Sequence, residues 1–427
     1  MVKVALMGFG TVGSGVAEVI ASNAGDISKK RAVELSLKYI LDIREFPDSP
    51  FYGLFVKDFA VIENDPEVEV VVETIGGVGI AYEFTKRSLL AGKSVVTSNK
   101  ELVATKGLEL LKIAESKNVN YLFEASVGGG IPIIRPLMHC LSANRVDEIY
   151  GIMNGTTNYI LTEMIECGTS FDTALKQAQA LGFAEQKPDA DIEGHDACRK
   201  ICILSDLAFG EDIPPDNIRT QGITNVTLSD VEYARRAGFR IKLLGRAVRS
   251  GDGISAYVAP HLIPENSLLS HVDGVMNGIV VKGNAVGETM FYGAGAGKLP
   301  TASAVVADVI DAAAHRGSRR VTSWGEGTPD FLVDSEGLAS RWFLRVKGPV
   351  PKIAASLTRE KIYDDTDLDL CFVVDEKDDA TTSVIFIKNE GMSEEDGHGL
   401  ITDVMDAVKL RALTAELEVV SSYRILD

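Results

Sequence analysis

Val2-Lys-Val-Ala-Leu-Met7 followed by Gly8-Phe9-Gly10-Thr11-Val12-Gly13 is the stretch that decides the fold. The first six residues read as a short buried strand. Val16, Val19 and Ile20 then give the apolar face of a helix. A strand, a glycine turn and a helix, in that order, make a dinucleotide-binding fingerprint. Gly8 makes the tight turn, Gly10 lets bare backbone approach a pyrophosphate, and Gly13 lets the helix pack on the strand. The helix N-terminus attracts the anion. Phe9, Thr11 and Val12 complete this candidate cofactor loop.

Outward from this loop, strands and helices alternate. A strand from about Val33 to Ile43 ends in Leu-Asp42-Ile-Arg44. An acid there binds a ribose 2′-hydroxyl and favours NAD, whereas an arginine accepts a 2′-phosphate and favours NADP. Both are present, so the choice stays open, and Asp42 reads equally well as the end of the strand. Val68 to Thr74 is a strand, followed by Ile75-Gly76-Gly77 and a helix to Leu90. Ser94 to Thr97 is the next strand, with Ser98-Asn99-Lys100 at its carboxyl end. A helix to about Lys117 and a strand from Val119 to Phe123 follow. Such alternation means a doubly wound parallel sheet, an α/β fold. Its ligands lie beyond the carboxyl ends of the strands, where Ile75, Gly76 and Lys100 fall. Lys100 also reads as a solvated helix start.

Glu124-Ala-Ser-Val127-Gly-Gly129-Gly-Ile131 closes the last of these strands. Carbonyls exposed by a glycine run can ligate a hard cation, with Glu124 adding charge. A crossover needing tight turns reads the same way. The alternation stops from about Ile131. A helix from Ile133 to Leu141 and a strand from Val146 to Met153 follow. Asn154-Gly-Thr-Thr-Asn158 then supplies caps for the next helix.

Residues 178–200 hold the densest chemistry. Gly182 ends a helix that runs from about Phe171. A polar loop carries Glu185, Pro188, Asp189, Asp191 and Glu193, and a second helix starts near Gly194. Asp196 and Lys200 are four apart and share one face of it. Ile201, Ile203, Leu204 and Leu207 make that helix a buried one. By themselves these residues also read as a surface loop and an ordinary ion pair. Phe239 to Val248, Ile254 to Leu262 and Ile279 to Phe291 look like long strands, with a hairpin turn at Ser250-Gly-Asp-Gly. They complete an α+β domain that wraps over the cofactor. Tyr292-Gly-Ala-Gly-Ala-Gly297-Lys resembles a phosphate loop, but Tyr292 stands where its first glycine is needed, which excludes an ATP site. The helix from Thr301 to Ala314 is expected to pack back on the first domain.

Arg316 to Ser340 has the composition of a linker. Beyond it, strands at 342–346, 368–374, 383–387 and 416–423 and helices at 351–357 and 394–410 give a βαββαβ, ferredoxin-like order. The acidic run from Asp364 to Asp379 reads as solvated loop. The domain plan is therefore residues 1–130 with the return helix 301–315, residues 131–300, a linker at 316–340, and a small domain at 341–427.

Composition narrows the partners. A net charge of −18 over 427 residues argues against nucleic acid or an anionic membrane. Five scattered cysteines form no disulfide framework, and Cys198 and Cys202 read as core. No apolar run is long enough for a membrane span, and the N-terminus lacks the features of a signal peptide. A cytoplasmic location is the expectation.

Together these motifs resemble homoserine dehydrogenase over residues 1 to about 315. The resemblance rests on Gly-Phe-Gly-Thr-Val-Gly, Thr-Ser-Asn-Lys100, the Glu124 loop, Asn154-Gly-Thr-Thr-Asn-Tyr-Ile, the 178–200 stretch and Gly-Ala-Gly-Ala-Gly297-Lys-Leu-Pro-Thr. The 178–200 stretch is the most specific, because Gly182, Glu185, Pro188, Asp191, Gly194, Asp196 and Lys200 all keep the family's spacing. Gly79-Ile80-Ala81 departs from the family's usual proline and alanine. The C-terminal domain is similar to ACT regulatory domains, but Lys347-Gly-Pro-Val-Pro replaces the usual Asp-x-Pro-Gly turn.

The resemblance implies interconversion of L-homoserine and L-aspartate 4-semialdehyde with NAD or NADP, in threonine, methionine and isoleucine biosynthesis. Oxidising a primary alcohol removes a hydride and a proton, and a positioned base must take the proton. Lysine serves as that base only where burial or another cation lowers its pKa. Lys200 is assigned the proton transfer and Lys100 a supporting role. Glu185 and Asp196 are expected to hold the substrate ammonium, with Asp191 close by. The resemblance further places Gly182 and Gly297 against the cofactor. It places a sodium ion at Glu124, Val127, Gly129 and Ile131, mostly through backbone carbonyls. It implies a homo-oligomer, a dimer or tetramer. The altered turn leads us to expect weak threonine inhibition or none. Rival readings are a dehydrogenase of another small amino alcohol and a nucleotide-binding sensor; the lysines and Glu185 argue against the sensor.

Overall fold

The computed structural model describes residues 1–320, 322–335, 338, 341–347, 370–374, 382–387 and 418–426. Strand β1 (Val2–Met7) enters the glycine loop, and α1 (Thr11–Arg31) leaves it. Then come β2 (Leu35–Leu41), β3 (Phe55–Val56), α2 (Ala60–Glu63), β4 (Val68–Glu73), α3 (Gly79–Leu90), β5 (Ser94–Thr97), α4 (Lys100–Lys117) and β6 (Tyr121–Leu122). The six strands form one parallel sheet in the order β3-β2-β1-β4-β5-β6, as the alternation predicts. Parallel sheets need cover on both faces. Val4 and Leu6 of β1 join one core with Val16, Ile20, Val305 and Val309, while Ala5 and Met7 join the other with Val71, Val95, Leu102 and Leu110.

The second half contains β7 (Val146–Ile152), α5 (Gly155–Cys167), α6 (Phe171–Ala180), α7 (Asp189–Ile192) and α8 (His195–Phe209). It continues with β8 (Arg219–Thr220), α9 (Leu228–Arg236), β9 (Phe239–Ser250), β10 (Gly253–Pro264), β11 (Met276–Gly283) and β12 (Gly287–Ala294). Helix α8 is buried along most of its length, Cys198 and Cys202 included. It lies against the sheet so closely that a Cβ at Gly245 of β9 would stand 3.2 Å from Ile201 Cβ. The return helix α10 (Lys298–Ala314) packs on α1, as expected. A Cβ at Gly15 would meet Lys298 O at 2.8 Å and Ala302 Cβ at 3.1 Å.

Three expectations change. The strand read over Ile279–Phe291 is a hairpin: β11 and β12 pair antiparallel around a turn at Gly283-Asn-Ala-Val-Gly287. Apolar residues continue through both arms, so hydrophobicity alone does not show the reversal. The helix read over Ile133–Leu141 is of π type from Pro136 to Cys140, with Leu141 N donating to Pro136 O at 2.9 Å. Pro136 has no N–H to give, which favours the wider turn.

The third concerns the segment read as a linker. It is a packed strap. Ile254 N donates to Phe331 O (2.8 Å) and Val333 N to Ile254 O (2.7 Å), while Gly325 N donates to Gly210 O (2.8 Å). Beyond it lie β13 (Arg341–Lys347), β14 (Leu370–Val374), β15 (Thr382–Ile387) and β16 (Glu418–Ile425). They are joined antiparallel in the order β16-β13-β15-β14. β16 also pairs parallel with β10, through His261↔Arg424 and Leu262↔Ile425, so the sheet of the second half runs on into these strands. The expected helices 351–357 and 394–410, residues 348–351 of the altered turn and the acidic run outside β14 lie outside the described residues. No helix among the described residues is long and apolar enough to cross a membrane.

Candidate functional site

The glycine loop has the geometry its sequence predicts. Gly8 has φ +93°, and a Cβ there would meet Thr74 O at 2.7 Å. A Cβ at Gly13 would stand 2.0 Å from Gly8 O, whereas Gly10 has open space apart from Arg44 Nη2 at 3.9 Å. The glycines thus meet three different surroundings, with Gly10 alone of the three leaving its backbone open. A cleft of about 840 Å³ opens beside the loop, lined among others by Phe9, Ser14, Glu18, Phe46, Phe51 and Lys298. Neither Lys100 nor Lys200 lines it.

At the end of β2, Asp42 is buried and fully engaged. It accepts from Phe9 N (2.7 Å), Arg44 N (2.9 Å), Arg44 Nε (3.0 Å) and Arg44 Nη2 (2.8 Å). The Arg44 guanidinium, helped by the Arg44 and Phe9 backbone N–H groups and opposed by burial, holds the Asp42 carboxyl down at about 2. Arg44 itself remains largely exposed, over the Phe46 ring and beside Gly10.

Two further loops are tied together by residues that the sequence reading did not single out. Buried Glu73 accepts from Ile75 N (2.7 Å), Gly76 N (3.2 Å) and Thr97 Oγ1 (2.5 Å). Asn99 donates to Gly77 O (2.6 Å) and caps α4 by accepting from Leu102 N (3.1 Å). Ile75, Gly76 and Lys100 are therefore set by one hydrogen-bonded group at the strand ends.

Helix α8 begins at Gly194, whose φ of +87° turns the acidic loop sharply into the helix. Lys200 donates to Asp196 Oδ2 (2.8 Å) and to Met153 O (2.7 Å), the last carbonyl before the α5 cap. Lys100, from the other domain, pairs with Asp196 Oδ1. Asn154 links the remaining acids by donating to Asp191 Oδ1 (2.7 Å) and Asp196 Oδ2 (2.9 Å). The Thr156 hydroxyl donates its one proton to Phe183 O (2.6 Å) and stands 3.1 Å from Asp191 Oδ2. The structure thus brings together Lys100, Asp191, Asp196 and Lys200, as expected, and adds Asn154 and Thr156. The motif Asn154-Gly-Thr156 carried that signal, but it reads first as a helix cap. Glu185 is outside the network, on the exposed loop that begins at Gly182.

The electrostatics separate the two lysines. Burial, with repulsion from Lys100 added, lowers the Lys200 pKa from the usual lysine value, against the pull of Asp196. For Lys100 burial acts in the same sense, but Asp196 outweighs it and the pKa is raised. Burial also opposes the charge of Asp196, yet the two ammonium groups hold its carboxyl below the usual range. Burial and the neighbouring Asp196 raise Asp191. Like acid groups with split environments are the usual mark of divided acid and base roles.

The Glu124 loop departs from expectation in one respect. The Glu124 side chain points inward and accepts from Ile133 N (2.6 Å), Ile134 N (2.8 Å) and Arg135 N (2.8 Å). It caps the following helix, so its carboxylate is not free to ligate a cation. Gly129 has φ +56°, and a Cβ there would stand 2.2 Å from Gly295 O. Gly297, at φ +122°, begins α10 nearby in the chain.

A family model described as "Homoserine dehydrogenase" matches residues 132–310, and one described as "Homoserine dehydrogenase, NAD binding domain" matches residues 8–124. The homoserine dehydrogenase of Neisseria gonorrhoeae is 44% identical over 375 residues, covering 84% of this chain and 86% of that one. That of Lactococcus lactis is 33% identical over 433 residues, covering 100% and 98%. The crystal structure of a homoserine dehydrogenase from Thiobacillus denitrificans superposes with a TM-score of 0.86 at 39% identity, covering 100% of this chain and 98% of that one. A hyperthermophilic archaeal homoserine dehydrogenase in complex with NADPH gives 0.63 at 30% identity, covering 73% and 97%.

Proposed function

The chain belongs to the homoserine dehydrogenase family, and from that premise we propose which of its residues carry the reaction. It is an NAD(P)-dependent oxidoreductase of amino-acid biosynthesis that interconverts L-homoserine and L-aspartate 4-semialdehyde. The bound nicotinamide takes or gives the hydride. Lys200 moves the proton at the substrate oxygen. The observation that carries this assignment is the Lys100–Asp196–Lys200 triad, in which Lys200 alone is both deeply buried and depressed in pKa. A buried lysine of this kind exchanges a proton nearer neutrality than an exposed one. Lys100, kept cationic by Asp196, polarises the carbonyl. Asp196 is occupied by both lysines and Asn154, so capture of the substrate ammonium falls to Asp191 and Glu185.

We assign the adenosine end to NADP. The Asp42 carboxylate that would accept from a ribose 2′-hydroxyl is already filled, while the exposed Arg44 is held by it beside Gly10. Charge-assisted contacts of this kind contribute roughly 1.5–3 kcal/mol each. Arg44→Ala is therefore expected to raise the KM for NADP about 10-fold or more and to leave the KM for NAD nearly unchanged. Equal effects on both cofactors, read from absorbance at 340 nm, would refute the assignment.

The sodium site proposed at Glu124, Val127, Gly129 and Ile131 rests on main-chain carbonyls alone, since the Glu124 carboxylate is committed. The tight turn at Gly129, with φ +56°, supports a loop whose carbonyls suit a hard cation. Melting should be higher in sodium chloride than in choline chloride at equal ionic strength; equal curves would remove the ion. We read the C-terminal strands as an ACT-like unit, supported by the β16-β13-β15-β14 order, which a βαββαβ chain produces when its strands pair antiparallel.

A further inference from the structure

Residues 315–335 cross from α10 to the C-terminal strands, and one side chain on that path touches α4 and the turn that follows α8, the two helices that bring the lysines together. Trp324 is buried. Its indole lies on the bare backbone of α4, where a Cβ at Gly107 would stand 2.8 Å from Trp324 Cζ2. The ring meets Phe123 edge-on, with centroids 6.0 Å apart at 81°. Nε1 donates to Asp212 Oδ1 at 2.9 Å. Asp212 N donates to Gly325 O (3.1 Å), and Gly325 N to Gly210 O (2.8 Å), where Gly210 ends α8.

Helix α4 begins at Lys100, and α8 carries Asp196 and Lys200. Gly107 is two turns from Lys100, about 10 Å along the helix axis. Where α4 and α8 pack on each other, two further ties join α4 to α8 and to the turn that follows it. At the near end Lys100 pairs with Asp196, and Arg199 with Glu101 at 3.6 Å. At the far end Trp324 spans from Gly107 to Asp212. A glycine in mid-helix is less stable there than alanine, so its presence under the indole favours close approach over helix stability.

We propose that Trp324 is a positioning residue for the dehydrogenase reaction: by seating on Gly107 and bonding Asp212, it sets the distance between α4 and α8 and so holds Lys100 on Asp196. The inference rests on the assignment of proton transfer to Lys200. Without the far clasp α4 rolls away, the charge of Lys100 withdraws, and Lys200 becomes harder to deprotonate. Homoserine oxidation needs neutral Lys200, so the rising low-pH limb of kcat/KM moves to higher pH.

The test compares pH profiles of homoserine oxidation in the full chain. Lys100→Met removes the same charge without touching the strap, and its limb is expected to move upward by on the order of one pH unit. Trp324→Ala and Gly107→Ala are expected to move it in the same direction. Trp324→Phe keeps a ring on Gly107 but loses the bond to Asp212, so it should give a smaller shift and carries the test if the alanine variants do not fold. If Lys100→Met shifts the limb and soluble Trp324 variants melt lower with the limb unmoved, Trp324 is structural only and the inference is overturned. If none of them moves the limb, the limb does not belong to Lys200 and the inference falls with that assignment.

Discussion

Lys200→Ala is expected to lower turnover of homoserine by about 10²-fold or more, the usual range for loss of a general acid or base, while binding of NAD(P) survives. The expectation follows from position. Lys200 donates to Met153 O and Asp196, two fixed acceptors, so its Nζ is held in one place before substrate arrives. Alanine removes the proton carrier and leaves Asp196 with Lys100 and Asn154. Glu185→Gln makes the contrast. Glu185 stands outside the triad on an exposed loop, so its loss should raise KM for homoserine and leave kcat nearly intact. Steady-state kinetics at saturating cofactor reads both. A Lys200→Ala enzyme with near-normal kcat would remove Lys200 from the mechanism, and an unchanged KM in Glu185→Gln would remove Glu185 from substrate binding.

What could be read in advance follows the reach of each interaction along the chain. The glycine loop and β1–α1 are local, and each glycine's task is a matter of backbone geometry within a few residues. The Asp196–Lys200 pair is one helical turn and equally legible. The partner that completes it, Lys100, lies on another domain, and only the fold shows that one carboxylate holds both lysines. The capping role of the Glu124 side chain was hidden for a similar reason. A carboxylate before a glycine run resembles a cation loop, but the N–H groups that consume it begin at Ile133, where the helix was predicted and its cap was not. The hairpin of β11 and β12 was hidden because both arms are apolar. The strap misled because glycine, serine and proline report an absence of regular secondary structure, not an absence of contacts. Its clear signals were Trp324 and the run Phe331-Leu332-Val333, large apolar residues in a polar stretch.

Every candidate catalytic residue lies before residue 302, and Arg316 to Ser340 has the composition of a domain boundary, so the sequence leads us to expect a soluble, active enzyme when the chain stops near Glu336. The structure now sets two observations against each other. The archaeal relative covers 73% of this chain and 97% of its own length, so the fold exists in this family without a matching C-terminal region. In this chain, however, β16 covers the edge of β10, with Leu426 N donating to Leu262 O at 2.9 Å. Phe343, Tyr423 and Ile425 are buried in the same core as Ile201 and Leu204 of α8. Arg345 donates to Asp230 Oδ1 at 2.7 Å, and Ser421 to the same atom at 2.5 Å, at the capped start of α9. Each buried apolar side chain of this size is worth roughly 1.5–3 kcal/mol. Part of that burial is internal to the C-terminal strands, which leaves at least about 3 kcal/mol at the junction by the same measure. For a domain of this size that corresponds to a fall in Tm of roughly 6–12 °C. The lysine triad lies wholly before residue 202, and Trp324 remains on a chain ending at Ser335. Such a chain should therefore keep its homoserine turnover at low temperature, melt earlier and expose the β10 edge to self-association. Calorimetry with activity at 15 °C decides. An unchanged Tm would mean that β16 and β13 form an independent unit, and an inactive but folded chain would mean that the C-terminal strands position the site.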